Sequence, residues 1–241
     1  RMSIFRASLA TDPGFVELVR HDFIDHWLLG RVNFLTGDDK STWFWLLQRG
    51  YKMLYLPDLC TLSIETQPKD GFFESATTLM TRWFGNMLRT NARALALPAS
   101  RIGYFTWWSI LDQALSIWTT LAGPASILLA AFFVSPWILP IYVAWVMFTR
   151  YLFCTVIMTF RGQSFPITYP FLLYFSQVGG AVVKSFILFR LDRQRWTRQS
   201  GSGSARAIPL GQRWRAMSST YMHCLALGWL ILGVAYVGNI I

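Results

Sequence analysis

Charged side chains are scarce in this sequence. They make up 14% of its 241 residues, whereas 54% of the residues are hydrophobic and 17% are aromatic. An average soluble domain carries about a quarter charged residues, and the mean hydropathy here is +0.36. This composition excludes an ordinary soluble domain and predicts a membrane protein.

Cysteine and acidic residues are few as well. The three cysteines, Cys60, Cys154 and Cys224, lie far apart and show neither a disulfide framework nor the spacing of a zinc site. We therefore expect them to be buried small side chains. The 12 acidic residues are outnumbered by 22 Lys and Arg, so the net charge is +10. In a membrane protein this excess first marks cytoplasmic loops, and it also suits an anionic substrate or product.

The sequence opens on Arg1 without a signal-peptide pattern, and residues 1–6 are typical of the interior of a domain. We therefore expect the chain to be a fragment of a longer protein. Residues 1–60 predict a mixed α/β segment. Its predicted elements are helices at 15–19 and 26–29 with caps near 11–14, a strand at 32–35, a helix at 42–48 stopped by Gly50, and a buried strand at 52–56.

Two histidines, His21 and His26, lie five residues apart with Asp22 and Asp25 between them. Such a cluster is either a solvated helix face or a metal site. A five-residue spacing does not align side chains on one face of a helix, which favours the solvated face.

The candidate catalytic residues lie in the Gly-Asp-Asp-Lys segment at residues 37–40. Asp39 could serve as a general base, with Asp38 as its electrostatic neighbour. Arg82 supplies a planar cation suited to a phosphate-type leaving group, and Trp83 supplies a flat face for a sugar. A Gly-Asp-Asp triplet also occurs as a turn that caps a helix, so this alternative stays open.

The remainder of the chain alternates apolar and basic segments. Residues 71–97 predict an amphipathic Arg-rich helix, either at the cytoplasmic membrane interface or in a soluble core. Residues 104–134 and 136–160 predict a transmembrane hairpin, and Arg residues on its open side place residues 1–101 in the cytoplasm. Residues 166–190 contain Pro and Gly and predict a re-entrant or interfacial helix. Residues 220–241 predict a last span.

Three ionisable or basic features accompany these helices. Asp112 and Arg150 fall in or near predicted spans and either line a polar path or make a structural contact. Residues 190–204 form a basic stretch that runs into a flexible Gly/Ser-rich loop. That loop is either a topology signal or part of the site.

The order of these features resembles the C-terminal half of a processive family 2 glycosyltransferase, the class that contains cellulose, chitin, hyaluronan and alginate synthases. Residues 37–40 are similar to its Thr-Glu-Asp or Gly-Asp-Asp-Arg motif, whose last aspartate is the catalytic base. Residues 81–83 resemble the end of its Gln-x-x-Arg-Trp motif, with Leu79 in place of the glutamine. Residues 195–198 resemble its Trp-Gly-Thr-Arg segment without the glycine. The segments around residues 37–40 and 81–83 are most similar to the alginate-polymerising branch, the mannuronan synthases.

The resemblance implies an α/β glycosyltransferase-A-like cytosolic part, of which only the C-terminal portion is present, followed by an α-helical transmembrane region with interfacial helices. The implied segments are the end of the glycosyltransferase domain (1–70), an amphipathic interfacial helix (71–101), a transmembrane hairpin (102–160), an interfacial or re-entrant helix (161–190), a cytosolic gating loop (191–215) and a last span (216–241).

The implied reaction is inverting transfer of mannuronate from GDP-mannuronate to a growing polymer, which then passes through the protein's own membrane channel. By the resemblance Asp39 is the catalytic base. The implied substrate-binding residues are Asp38, Arg82, Trp83, Trp196, Thr197 and Arg198. A divalent cation, Mg or Mn, would be bound mainly by residues outside this chain.

The implied setting is a bacterial inner membrane, with a cytoplasmic catalytic part, lipid contact and an envelope partner that binds cyclic-di-GMP; no nucleic acid is expected. Three other functions remain open. These are a related polysaccharide synthase that uses a UDP-sugar, a non-processive membrane glycosyltransferase, and a non-enzymatic transporter subunit.

Overall fold

The computed structural model describes residues 4–33, 38–54, 67–193 and 210–239. The chain divides into two units by its internal packing. The first unit comprises Arg1–Ala114 and Ile187–Ser219, and the second comprises Leu115–Phe186 and Thr220–Ile241.

Two short helices open the first unit, α1 (Ala7–Ala10) and α2 (Pro13–Arg20). The carboxylate of Asp12 accepts hydrogen bonds from the backbone N–H groups of Gly14 at 2.8 Å and Phe15 at 3.1 Å. Proline follows at the first helical position, where its missing N–H costs nothing. The predicted cap and helix are confirmed.

A β-hairpin follows, and the helix predicted at residues 26–29 is wrong. Strand β1 (Phe23–His26) pairs antiparallel with β2 (Gly30–Asn33), so the apolar run between them is a turn. Gly30 has a φ of +72°, which favours glycine. The His26 Nδ1 accepts from the backbone N–H groups of Leu28 and Leu29, each at 3.2 Å. Of the strand predicted at 32–35, residues 32 and 33 lie in β2, and 34 and 35 are outside the described residues.

Helix α3 spans Asp38–Gln48. The helix predicted at 42–48 is confirmed and begins four residues earlier, so Asp38 and Asp39 open it. It ends as expected at Gly50, whose φ is +72°. The buried strand predicted at 52–56 is wrong for residues 52–54, which are exposed and irregular; residues 55 and 56 lie outside the described part. Among the described residues, the sheet consists of β1 and β2 alone, so residues 52–54 do not pair with it.

Helix α4 (Phe72–Leu95) confirms the predicted long helix, and α5 (Ala99–Ile102) follows it. The core that joins α3 to these helices consists of Phe44, Leu47, Ala94 and Ile102, together with Ile110 of the long helix that follows. The two described strands do not make up the sheet of a glycosyltransferase-A-like domain, so that fold stays a prediction.

Four long helices complete the described chain: α6 (Tyr104–Phe133), α7 (Ile138–Arg161), α8 (Tyr169–Leu188) and α9 (Leu210–Val237). Each contains a segment long and apolar enough to cross a membrane. Helix α8 is 20 residues long, which suffices for a span, and its re-entrant or interfacial position stays a prediction. A 3₁₀ turn, Leu191–Arg193, follows α8.

Polar side chains connect helices within the second unit. The hydroxyl groups of Tyr142 on α7 and Tyr174 on α8 are 3.0 Å apart. Arg150 Nε donates to Gln177 Oε1 at 2.9 Å. Interhelical hydrogen bonds of this kind hold apolar helices together in a membrane. The contact with Gln177 therefore supports the interpretation of Arg150 as a residue that makes a structural contact.

Candidate active site

Three arginines of α4 lie on one face of the helix. Arg82, Arg89 and Arg93 are separated by seven and four residues. At 3.6 residues per turn, Arg89 and Arg93 each fall within about 20° of the line through Arg82. We call Arg82, Arg89 and Arg93 the arginine face. Arg93 contacts Asp22, Arg89 contacts the 3₁₀ turn, and Arg82 lies beside Trp83.

Arg93 forms a partly buried ion pair with Asp22, which lies directly before β1. Its Nη1 lies 2.5 Å from Asp22 Oδ1 and its Nη2 lies 3.1 Å from Oδ2. The side chains are 14% and 3% exposed. Two parallel hydrogen bonds between a guanidinium and a carboxylate fix geometry as well as charge. The solvated helix face expected around His21 and His26 is therefore wrong for Asp22, and His26 lies on a strand.

Helix α3 contacts this ion pair through two side chains. The hydroxyl group of Ser41 donates to Asp22 Oδ2, and the Phe44 ring lies 4.3 Å from the Arg93 guanidinium carbon. Ser41 belongs to the first turn of α3, together with Asp38 and Asp39. The ion pair thus contacts the helix turn that carries the predicted base.

Arg89 is 2% exposed and connects α4 to the 3₁₀ turn. Its Nη1 donates to the Leu191 carbonyl at 3.1 Å, and its Nη2 donates to Asn86 Oδ1 at 2.5 Å. Burial and, to a smaller extent, the nearby Arg93 charge lower the pKa of Arg89 to about 10, against the opposing effect of the Asp22 charge. The group therefore stays protonated at neutral pH. Its contact fixes Leu191, the first residue of the predicted gating loop.

Arg82 and Trp83 are the predicted leaving-group cation and sugar platform. The Arg82 guanidinium carbon lies 6.0 Å from the Trp83 ring centroid, which is the outer limit of a cation–π contact. Arg82 is half-buried, and Trp83 is 52% exposed. An exposed indole beside a guanidinium is chemically suited to a sugar next to a phosphate group.

Asp38 and Asp39 are the first two residues of α3. A helix N-terminus stabilises negative charge because its first N–H groups point outward. The structure describes the backbone of both residues but not their side chains, so a shared pocket of Asp39 and Arg82 stays a prediction. Trp196, Thr197 and Arg198 lie outside the described residues.

A second arginine, Arg215, is the last residue of the predicted gating loop. It lies on α9 and donates from Nη1 to the Leu29 carbonyl at 3.2 Å, in the turn of the hairpin. The 3₁₀ turn at the start of that loop packs against β2. The segments on both sides of residues 194–209 therefore contact the same hairpin.

Sequence reasoning missed the contacts that organise this region. Asp22 and Ser41 carry no motif, and Asp22 lies 71 residues before Arg93. One signal was available: the spacing of Arg82, Arg89 and Arg93 places them on one face of a helix that the sequence already predicts.

The described residues do not supply a metal site on their own. No three His, Cys, Asp or Glu side chains in the described part of the chain come together in a way that could hold an ion. The divalent cation implied by the resemblance stays a prediction.

Sequence comparisons relate this chain to known proteins. A family profile described as "Glycosyltransferase like family 2" matches residues 1–86. The protein named Glycosyltransferase alg8 from Pseudomonas syringae pv. tomato is 43% identical over 199 residues, and its namesake from Azotobacter vinelandii is 45% identical over 199 residues. Each alignment covers 83% of this chain and 40% of the relative. The chain thus spans less than half the length of these curated relatives, and no solved structure matches it.

Proposed function

The chain belongs to the family 2-like glycosyltransferases, and from this premise we propose that it is the C-terminal part of a processive, inverting membrane synthase. The proposed reaction polymerises mannuronic acid from GDP-mannuronate into an alginate precursor. The observation that carries the proposal is the identity of 43–45% over 83% of the chain to two glycosyltransferases. The donor sugar rests on the motif resemblance.

The proposed chemistry uses two helices of the first unit. Asp39, at the start of α3, removes the proton from the acceptor hydroxyl group. The acceptor oxygen forms a bond to the anomeric carbon as the bond to GDP breaks, with inversion at that carbon. Arg82 on α4 and Arg198 offset the negative charge that develops on the departing GDP. Asp38 is an electrostatic neighbour of the base.

Sugar binding is assigned to aromatic and polar side chains. Trp83 is half-exposed on α4, which supports a role as a stacking surface for the acceptor. Trp196 and Thr197 would contact the nucleotide sugar from the gating segment. At the two ends of that segment, Leu191 accepts a hydrogen bond from Arg89, and Arg215 donates one to the hairpin.

The membrane region is the proposed route of the product. Four described helices are long and apolar enough to cross a bilayer, and the net charge of +10 suits a polyanionic polymer. Residues 1–101 are assigned to the cytoplasm of a bacterial inner membrane by the distribution of arginine. A divalent cation bound outside this chain and an envelope partner that senses cyclic-di-GMP complete the proposal.

The test uses the full-length protein in membranes with the partner subunit present. GDP-mannuronate and UDP-sugars are supplied separately, and Asp39→Asn is the control. We expect polymer from the GDP donor alone and none from Asp39→Asn. If polymer forms only from a UDP-sugar, the chain is still part of a polysaccharide synthase, but the proposed donor is wrong. No product from any donor would favour the non-enzymatic transporter subunit.

A further inference from the structure

We propose that Asp22 and Ser41 are positioning residues that hold the first turn of α3, which carries Asp38 and Asp39, in register with α4. This inference rests on the proposed function, because it assigns these residues a role in glycosyl transfer. Neither residue is placed in contact with substrate. They act through the position of the helix that carries the proposed base.

The geometry of Asp22 supports this role. Both of its carboxylate oxygens are used: Oδ1 accepts from Arg93, and Oδ2 accepts from Arg93 and from Ser41. Asp22 belongs to neither helix and is 3% exposed. A single buried carboxylate therefore joins α3 to α4 without depending on a flexible surface side chain.

Two contacts fix both the height and the rotation of α3. Ser41 lies two residues after Asp39, which is about 3 Å along the helix axis. Phe44 lies one turn further on and stacks against the Arg93 guanidinium at 4.3 Å. A helix held at successive turns of one face can neither slide nor rotate without breaking a buried contact.

The same ion pair connects the proposed base to the proposed leaving-group cation. Arg82 lies on the face of α4 that carries Arg93, about 16 Å along the helix. Because a helix is stiff over three turns, the Asp22–Arg93 pair sets where Asp39 sits relative to Arg82. A displacement of about 1 Å in reacting groups can lower a rate about a hundredfold.

Ser41→Ala separates positioning from folding. It removes the hydroxyl that ties α3 to Asp22 and leaves the Asp22–Arg93 ion pair in place. Ser41→Thr keeps a hydroxyl at the same position and serves as the rescue variant. Ser75→Ala is the matched control, because Ser75 is an equally buried serine of the first unit, on α4.

The experiment measures kcat and KM for the nucleotide sugar with full-length protein in membranes, alongside the thermal unfolding midpoint in detergent. We expect Ser41→Ala to lower kcat at least about tenfold, with KM changed less than twofold. Ser41→Thr should recover most of kcat, and Ser75→Ala should match the wild type. The unfolding midpoint of Ser41→Ala should match that of Ser75→Ala.

Three outcomes would overturn the proposal. If the wild type is active and Ser41→Ala has the same kcat, the positioning role of Ser41 is rejected and the proposed function is unaffected. Equal loss in Ser41→Ala and Ser41→Thr rejects the role of the hydroxyl. A wild type that is inactive with GDP-mannuronate and with every UDP-sugar rejects the proposed function and this inference together. Activity with a UDP-sugar alone changes only the donor, and the same comparison is then made with that donor.

Discussion

The two units of this chain place arginine in opposite electrostatic settings. In the first unit the partly buried Arg93 forms two hydrogen bonds with the buried carboxylate of Asp22. In the second unit Arg150 donates to the neutral amide of Gln177. An opposite charge lowers the cost of burying a charge in a globular core, whereas an apolar helix pair can be joined by a single polar contact.

The two units also differ in how many large apolar side chains they expose, and the second unit exposes more of them. The second unit exposes large apolar side chains such as Phe132, Trp145 and Phe160, the last at 90%. The first unit buries Trp45 at 2% between Phe15 and Tyr51. Lipid is the solvent that suits the second unit. The proposed group transfer is assigned to the first unit, which carries Asp39 and Arg82.

The largest effect that tests this comparison is expected from Asp22→Asn. The substitution leaves the Arg93 charge buried without its carboxylate, which costs about 3–5 kcal/mol of folding free energy. We expect a large drop in the unfolding midpoint of the full-length protein in detergent. Asp25→Asn is the control, because the Asp25–Arg31 pair on the hairpin is exposed, and it should leave the midpoint unchanged. Equal losses in the two variants would contradict the assigned role of burial.

A smaller and asymmetric effect is expected in the second unit. Gln177→Leu leaves the Arg150 guanidinium without its amide acceptor, which costs about 1–3 kcal/mol. Arg150→Met removes the charge itself and leaves only a neutral amide, so it should cost less than about 1 kcal/mol. Denaturant titration of the protein in mixed micelles measures both. If Arg150→Met were the more damaging variant, Arg150 would have a role beyond its contact with Gln177.

Much of the helical structure could be predicted from local patterns. The Asp12-Pro13 cap predicted α2, the alternation of Arg with large apolar residues predicted α4, and apolar runs predicted the long helices. Each of these signals lies within one or a few turns of chain. The hairpin was missed because its turn is apolar, and its conformation depends on Gly30 and on the side chain of His26.

The candidate site was only partly accessible from sequence. The segments at 37–40 and 81–83 were identified through their resemblance to known motifs. The contact that joins their helices could not be found in this way, because Asp22 and Arg93 are 71 residues apart. The residues around Asp22 look like a polar surface, and only the packing of α3 against α4 shows that the carboxylate is buried.

The smallest predicted effect is a pH dependence confined to the first unit. His26 accepts two backbone hydrogen bonds at Nδ1, so protonation of that nitrogen breaks both. Burial lowers the pKa of His26 from its ordinary value of 6.5, and the charge of Asp192 partly opposes the shift. The neutral ring therefore stabilises the hairpin fully above about pH 6.5. This contribution is lost as the pH falls from there through the lowered pKa of the folded state.

Hydrogen exchange at pH 5.5 and 7.5, corrected for intrinsic rates, measures this loss at the backbone amides of Leu28 and Leu29. We expect faster opening of these amides at pH 5.5 and unchanged protection of α7 in the second unit. His26→Asn keeps an acceptor oxygen near the position of Nδ1 and cannot be protonated, so its hairpin should open equally at the two pH values. His21→Asn alters an exposed histidine and should behave like the wild type. If acid-induced opening persists in His26→Asn, another group is responsible for the pH dependence. The titration of His26 would then not distinguish the first unit from the second.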